Sequence, residues 1–207
     1  SSTATLGNRV DGECTNVILL SGTKVSATPS AVGNRTITNI YTVTSDLEGT
    51  TTDGSSLRWA ITEANLNVSA DSILFNITSG GIPPPYFTIS LTSALPALTD
   101  NSGVVINGFS QPGSSGNTVT VFGATTGTPL NAVYQIVISN STGGIARGFN
   151  ITGNNNVIQG LVVSDFGVSG GGGANDVGID ISGNSNQVLG CYVGMGPDGT
   201  TSLNTQT

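Results

Sequence analysis

Two segments of the chain repeat one another: GFNITGNNNVIQG over residues 148–160 and GIDISGNSNQVLG over residues 178–190. The offset is thirty (178 − 148 = 30), and apolar, Gly and Asn positions coincide across the pair. Phe149/Ile151 and Ile179/Ile181 alternate with the polar Asn150 and Asp180, which is the signature of a strand with one buried face. The same apolar–polar–apolar trio occurs at residues 87–89 and 119–121, so that Thr88, Thr120, Asn150 and Asp180 are expected to point outward. A second, less regular series runs through Ile73/Phe75, Val104/Ile106, Ile136/Ile138, Leu161/Val163 and Cys191/Val193. Up-and-down or Greek-key sheets give no reason for a strand to return in register after a near-constant interval. A parallel β-helix does, because each coil lays equivalent residues on those of the coil before it.

The turn residues fit the same expectation. Asn154/Asn184 and Asn156/Asn186 fall at equivalent corners, where a side-chain amide can bond its counterpart one layer away. Gly153/Gly183 and Gly160/Gly190 are expected at the remaining corners. Asn-Gly clusters read as ordinary hairpin loops account for the turns but leave the interval unexplained. The Gly-rich stretch at residues 167–176 reads as a loop protruding between coils.

Composition narrows the partners. Only 8% of the 207 residues are charged, while 36% are hydrophobic, so the chain carries apolar content without the charge of a disordered sequence. A net charge of −7 with five basic residues argues against nucleic acid and against anionic membrane surfaces. No apolar run is long enough to predict a membrane span. The absence of His removes the commonest general base and metal ligand. Aromatic residues are few, which weighs against large stacking platforms.

Ahead of the coils, Leu57, Ala60, Ile61 and Ala64 fall at i, i+3, i+4 and i+7, and Ser55 or Ser56 supplies an N-cap. The expectation is a short helix near residues 55–66 that covers the open end of the first coil. The expected organisation is an N-terminal arm over residues 1–40 and the parallel β-helix over residues 41–207.

The segment TVTSDLEGTTTDGSSLRWAITEAN, followed by DSILFNI and ISLTSALPALTDNSGVVINGFSQPG, resembles the opening of bacterial and archaeal surface proteins of the pectate-lyase-like superfamily. SSLRWAI stands where CSLREA-type segments often read C-S-L-R-E-A-I. The resemblance implies an all-β fold, a right-handed parallel β-helix with a short N-terminal capping α-helix, on an exported protein. It implies no single activity, because that scaffold carries lyases, adhesins and inert stalks.

Lyases of that superfamily use clustered carboxylates for Ca²⁺ and an Arg or Lys as base. Arg147 is the sole basic residue after Arg58, and Asp165, Asp176 and Asp180 match no motif of such enzymes, so no catalytic residue is carried over. Asp176 and Asp180 with loop carbonyls are the candidates for a structural Ca²⁺ site; as solvated turn formers they need no metal.

Five sequons, at Asn34, Asn67, Asn76, Asn140 and Asn150, are glycosylation candidates and suit an extracellular, cell-surface location. The opening SSTATLGN reads as a mature terminus left by removal of a leader. Cys14 and Cys191 are either two separate thiols or one disulfide, within a subunit or between two. Val17, Ile18, Leu19 and Leu20 belong to neither coil series and are candidates for a strand that adds to a neighbour's edge or packs along its own solenoid. After CYVGM no second cap is expected, leaving a bare coil to be continued by further coils or covered by another copy. The expected role is an extracellular structural protein, self-associating head to tail into filaments or serving as an adhesive stalk. The alternatives are a carbohydrate-active enzyme or a glycan-binding adhesin.

Overall fold

The computed structural model describes residues 38–78, 86–119, 131–140, 144–166 and 177–201. In them Phe149 pairs with Ile179 and Ile151 with Ile181 on adjacent parallel strands, as the thirty-residue interval requires. Among the described residues the chain is mostly strands with one α-helix, and every pairing between named strands is parallel.

Three sheets are present. The first holds β1 (Asn39–Val43), β2 (Asp71–Phe75), β4 (Val104–Asn107), β7 (Val157–Gln159) and β10 (Gln187–Leu189), in that order. The second runs β3 (Phe87–Ser90), β5 (Ile136–Ser139), β8 (Val162–Ser164) and β11 (Tyr192–Val193). The third pairs β6 (Arg147–Ile151) with β9 (Val177–Ile181), and an isolated bridge adds Leu98 beside Ile151. The chain visits the sheets in rotation, β4–β5–β6, then β7–β8–β9, then β10–β11, each strand landing beside its predecessor in that sheet.

The pairings correct both sequence series. Phe87–Ile89 lies in the second sheet, not beneath β6, and Leu98 holds the position under Ile151 that was expected for Val121. The other series mixes first-sheet pairs (Ile73/Phe75, Val104/Ile106) with second-sheet pairs (Ile136/Ile138, Leu161/Val163, Cys191/Val193). The physical reason is that one apolar–polar–apolar trio serves any face with a buried side, and the links between faces differ in length. In the first sheet the step from Val157 to Gln187 is 30 residues, while that from Val105 to Val157 is 52 (157 − 105 = 52). The excess lies in the link from β4 to β5, part of which, residues 120–130, is outside the described residues together with the Gly-rich 167–176.

The asparagine corners form as expected. Asn184 N donates to Asn154 Oδ1 at 2.7 Å, and Asn154 Nδ2 donates to Asn101 Oδ1 at 2.7 Å, one layer further. Beside that row, Asn156 Nδ2 and N both donate to Asn186 Oδ1, while Asn156 Oδ1 accepts from Val104 N at 2.9 Å. The fully buried Asn156 amide thus bonds both neighbouring layers, accepting from Val104 N and donating to Asn186 Oδ1, so that it is not orphaned at a sharp bend. Gly183 is dictated by closeness: a Cβ there would stand 1.8 Å from Gly153 O.

The α-helix α1 (Leu57–Asn65) lies between β1 and β2, in the circuit that supplies no strand to the second or third sheet. Ser56 is its N-cap, the hydroxyl accepting from Trp59 N. Leu57, Ala60, Ile61 and Ala64 are all fully buried and join the main apolar cluster with Val43, Ile73 and Phe75. Trp59 lies half-buried with its ring edge-on to Tyr41, centroids 5.7 Å apart.

Candidate functional site

Three inward ladders run through the layers: Tyr41, Ile73, Ile106, Ile158 and Val188 in the first sheet; Ile89, Ile138, Val163 and Val193 in the second; Leu98, Ile151 and Ile181 in the third. Ile158, Val163 and Ile151 are 0% exposed, whereas Val188, Val193 and Ile181, one layer on, are exposed at 37%, 45% and 44%. The apolar interior opens at the β9–β10–β11 layer, and these three are edge strands of their sheets. Unpaired backbone beside open apolar side chains is a template for strand addition.

Cys191 belongs to this layer, partly buried against the core. Its Sγ donates weakly to Leu189 O (3.5 Å) and Ile158 O (3.7 Å), and burial pushes its thiol above the ordinary value. It forms no disulfide among the described residues; Cys14 lies outside them, as do Asn34 and the segment Val17, Ile18, Leu19, Leu20.

Of the two carboxylates proposed for Ca²⁺, one is among the described residues. Asp176 lies outside the described residues, and Asp180 Oδ2 is 2.6 Å from Arg147 Nε, both side chains well exposed. Asp165 sits in left-handed backbone (φ 64°) and accepts from Ser139 Oγ and Ser164 Oγ. Among the described residues no three His, Cys, Asp or Glu side chains gather as a metal site, and no helix is long and apolar enough to cross a membrane.

The sequons have different surroundings. Asn76 is exposed, and Asn150 faces outward beside Asp180. Asn67 uses its amide on Tyr41 OH (2.7 Å) and Glu63 O (3.0 Å). Asn140 is 2% exposed, and its Nδ2 donates to Ile145 O, so a glycan there requires that bond to break.

SSLRWAI has a structural use the sequence left unstated. Arg58 donates to Ser93 O, Ser93 Oγ and Ala94 O and pairs with Glu48. Burial alone would raise the Glu48 carboxyl, but donors from Ser93 and Thr92 outweigh it and hold it at about 2. The pair clasps the loop before α1 to the loop after β3.

On the outer face of the second sheet, Thr88, Val137, Val162 and Tyr192 stack in one row. Tyr134 covers Val137 and Val162, with Tyr86, Phe109 and Ala132 around it. The Tyr134 ring lies 4.4 Å from that of Tyr192 and 5.9 Å from that of Phe109, centroid to centroid. Three of the chain's four tyrosines therefore meet, against the expectation of no aromatic platform. The available signal was positional: Tyr86 precedes β3, Tyr134 stands just before β5 and Tyr192 opens β11, all strands of one sheet. Above this face lies a groove of about 450 Å³.

Comparison of the chain with family models, curated proteins and solved structures finds no match.

Proposed function

We propose that the chain is an extracellular, cell-surface structural protein built as a right-handed parallel β-helix, and that it self-associates through its β9–β10–β11 layer. The observation that carries this reading is the rise from 0% to about 40% exposure along three separate apolar ladders at one layer. Covering Ile181, Val188 and Val193 with another strand removes apolar surface from water and pairs the edge backbone in the same step. The opposite end is filled by α1, so continuation there by simple stacking of sheets is obstructed. Head-to-tail growth needs an apolar segment for the open layer of the next copy, and the sequence offers Val17, Ile18, Leu19 and Leu20, which lie outside the described residues. A disulfide between Cys14 of one copy and Cys191 of the next would lock such a contact on oxidation. The cap-segment resemblance and the exposed Asn76 sequon agree with export.

Light scattering and electron microscopy of the full 207-residue chain test the reading. Assemblies that persist on non-reducing electrophoresis, and that disperse in the Ile181→Lys/Val193→Lys variant, are expected. A wild-type chain that stays monomeric at every concentration, with both thiols free, overturns it.

A further inference from the structure

We infer that Tyr134 and Tyr192 form an oxidative cross-linking site, where a one-electron oxidant joins the two rings as dityrosine and fastens β11 to the body of the second sheet. Their ring centroids stand 4.4 Å apart with the planes tilted by 43°, closer than the ~4.5–7 Å over which aromatic pairs ordinarily pack. Among the described residues this is the one ring pair that joins two tyrosines.

Both rings are held where they meet. Tyr134 is 6% exposed, seated on Val137 and Val162 with the Phe109 ring on its flank. Ser115 and Val133 exchange backbone hydrogen bonds at 3.0 and 2.9 Å, fixing the chain just before it. Tyr192 is partly buried, and the turn at residues 196–201 closes over its hydroxyl. Gly196 N donates to Thr201 O at 2.7 Å, and a Cβ on Gly199 would come within 2.8 Å of Tyr192 OH. Tyr41 supplies the contrast. It is as buried, at 7%, yet its ring lies edge-on to Trp59 and its hydroxyl donates to Glu63 O.

The chemistry follows from that packing. A one-electron oxidant removes an electron and the hydroxyl proton from the less buried phenol, Tyr192. The phenoxyl radical carries spin on its ortho carbons and adds to an ortho carbon of the Tyr134 ring, forming the C–C bond. Loss of a second electron and proton, then a proton shift from carbon to oxygen, restores both phenols. Two hydrogen atoms leave the protein as protons and electrons. The electrons end on a peroxide, whose O–O bond breaks: hydrogen peroxide gives two waters, peroxodisulfate two sulfates. Because the partners are already adjacent, coupling is unimolecular and outruns encounters between copies at low concentration. The new bond joins positions 58 residues apart (192 − 134 = 58). It spans the sheet order β11–β8–β5, since Tyr134 stands just before β5. Strand β11 is only two residues long, held to its neighbour through Tyr192 N to Leu161 O and Gly194 N to Val163 O.

The test irradiates the full chain with ruthenium tris-bipyridine and peroxodisulfate at two dilutions, then reduces it so that disulfide-linked copies separate. Expected are dityrosine fluorescence from single chains and a linked peptide pair carrying Tyr134 and Tyr192, short of two hydrogen atoms. The yield per chain is expected to be the same at both dilutions. Tyr134→Phe and Tyr192→Phe, which keep the rings, are each expected to cut the fluorescence at least tenfold, while Tyr41→Phe and Tyr86→Phe leave it within twofold. In the coupled chain the Tyr192 and Gly194 amides are expected to exchange hydrogen at least tenfold more slowly. The inference is overturned if no such peptide pair forms, if the yield falls in proportion to dilution, if Tyr134→Phe and Tyr192→Phe retain the signal, or if the two amides exchange as before. Assembly through the β9–β10–β11 layer is read separately, from scattering before oxidation, so that either reading fails without the other.

Discussion

The two ends of the stacked sheets treat the same apolar interior in opposite ways. At the β1 end, α1 turns Leu57, Ala60, Ile61 and Ala64 onto the core, and all four are sealed from solvent. At the β9–β10–β11 end, Ile181, Val188 and Val193 continue the ladders but stand open. One end is closed from within the chain, by a helix whose N-cap and apolar stripe are local in sequence. The other is open among the described residues, and closing it takes a further strand. A stack of parallel strands has no intrinsic stop, so each end requires an element outside the repeat.

The contrast can be broken most directly by truncating a side chain at each end. Leu57→Ala is expected to cost about 3 kcal/mol, because it leaves a cavity in a fully buried site. Ile181→Ala is expected to cost under about 1 kcal/mol in the monomer, since that residue already meets solvent. Urea unfolding of both variants at low protein concentration measures the difference; equal losses would mean that the β9 layer is covered in solution.

A smaller effect probes the clasp beneath the capped end. Glu48→Gln is expected to destabilise by about 2 kcal/mol at pH 7, as Arg58 loses its ionic partner. The Glu48 carboxyl is depressed from 4.5 to about 2 in the folded chain. Its contribution is therefore fully present above pH 4.5 and is lost as pH falls toward 2. Thermal melts of wild type and variant are expected to converge over that window.

The smallest effect has the opposite sign. Asp71 is fully buried, and its Oδ1 accepts from Asn39 Nδ2 while Oδ2 has no partner. Burial raises its pKa, the Asn39 bond lowers it in part, and the nearby Asp100 raises it further. The ionised form is thus disfavoured by folding, and stability falls as pH rises above the ordinary value of 3.8. Asp71→Asn is expected to raise stability by up to about 1 kcal/mol at pH 7 and to change little at pH 3, as read from the melting midpoint.

How far these features were legible depended on how local their causes are. Ser56, Leu57, Ala60, Ile61 and Ala64 were readable because capping and the 3.6-residue stripe act within one helix. The pairing of Phe149 with Ile179 was readable because the third-sheet step from Phe149 and the first-sheet step from Val157 to Gln187 are both thirty residues, so strand and corner repeat together. The assignment of Phe87–Ile89 was not, because the β4–β5 link is long enough to bring a second-sheet trio close to the third-sheet interval. The clasp of Glu48 and Arg58 with Ser93 was hidden for a similar reason, since it joins segments up to 45 residues apart.

By itself the sequence determined that strands return in register, that Asn154, Asn156, Asn184 and Asn186 line the corners, and that one helix covers an end. These follow from side-chain period and backbone preference, which are properties of neighbouring residues. Tertiary structure decided which face each trio joins, that Asp180 pairs with Arg147, and that Tyr86, Tyr134 and Tyr192 meet. Those outcomes depend on link lengths summed around each circuit, and a side chain carries no local record of that sum.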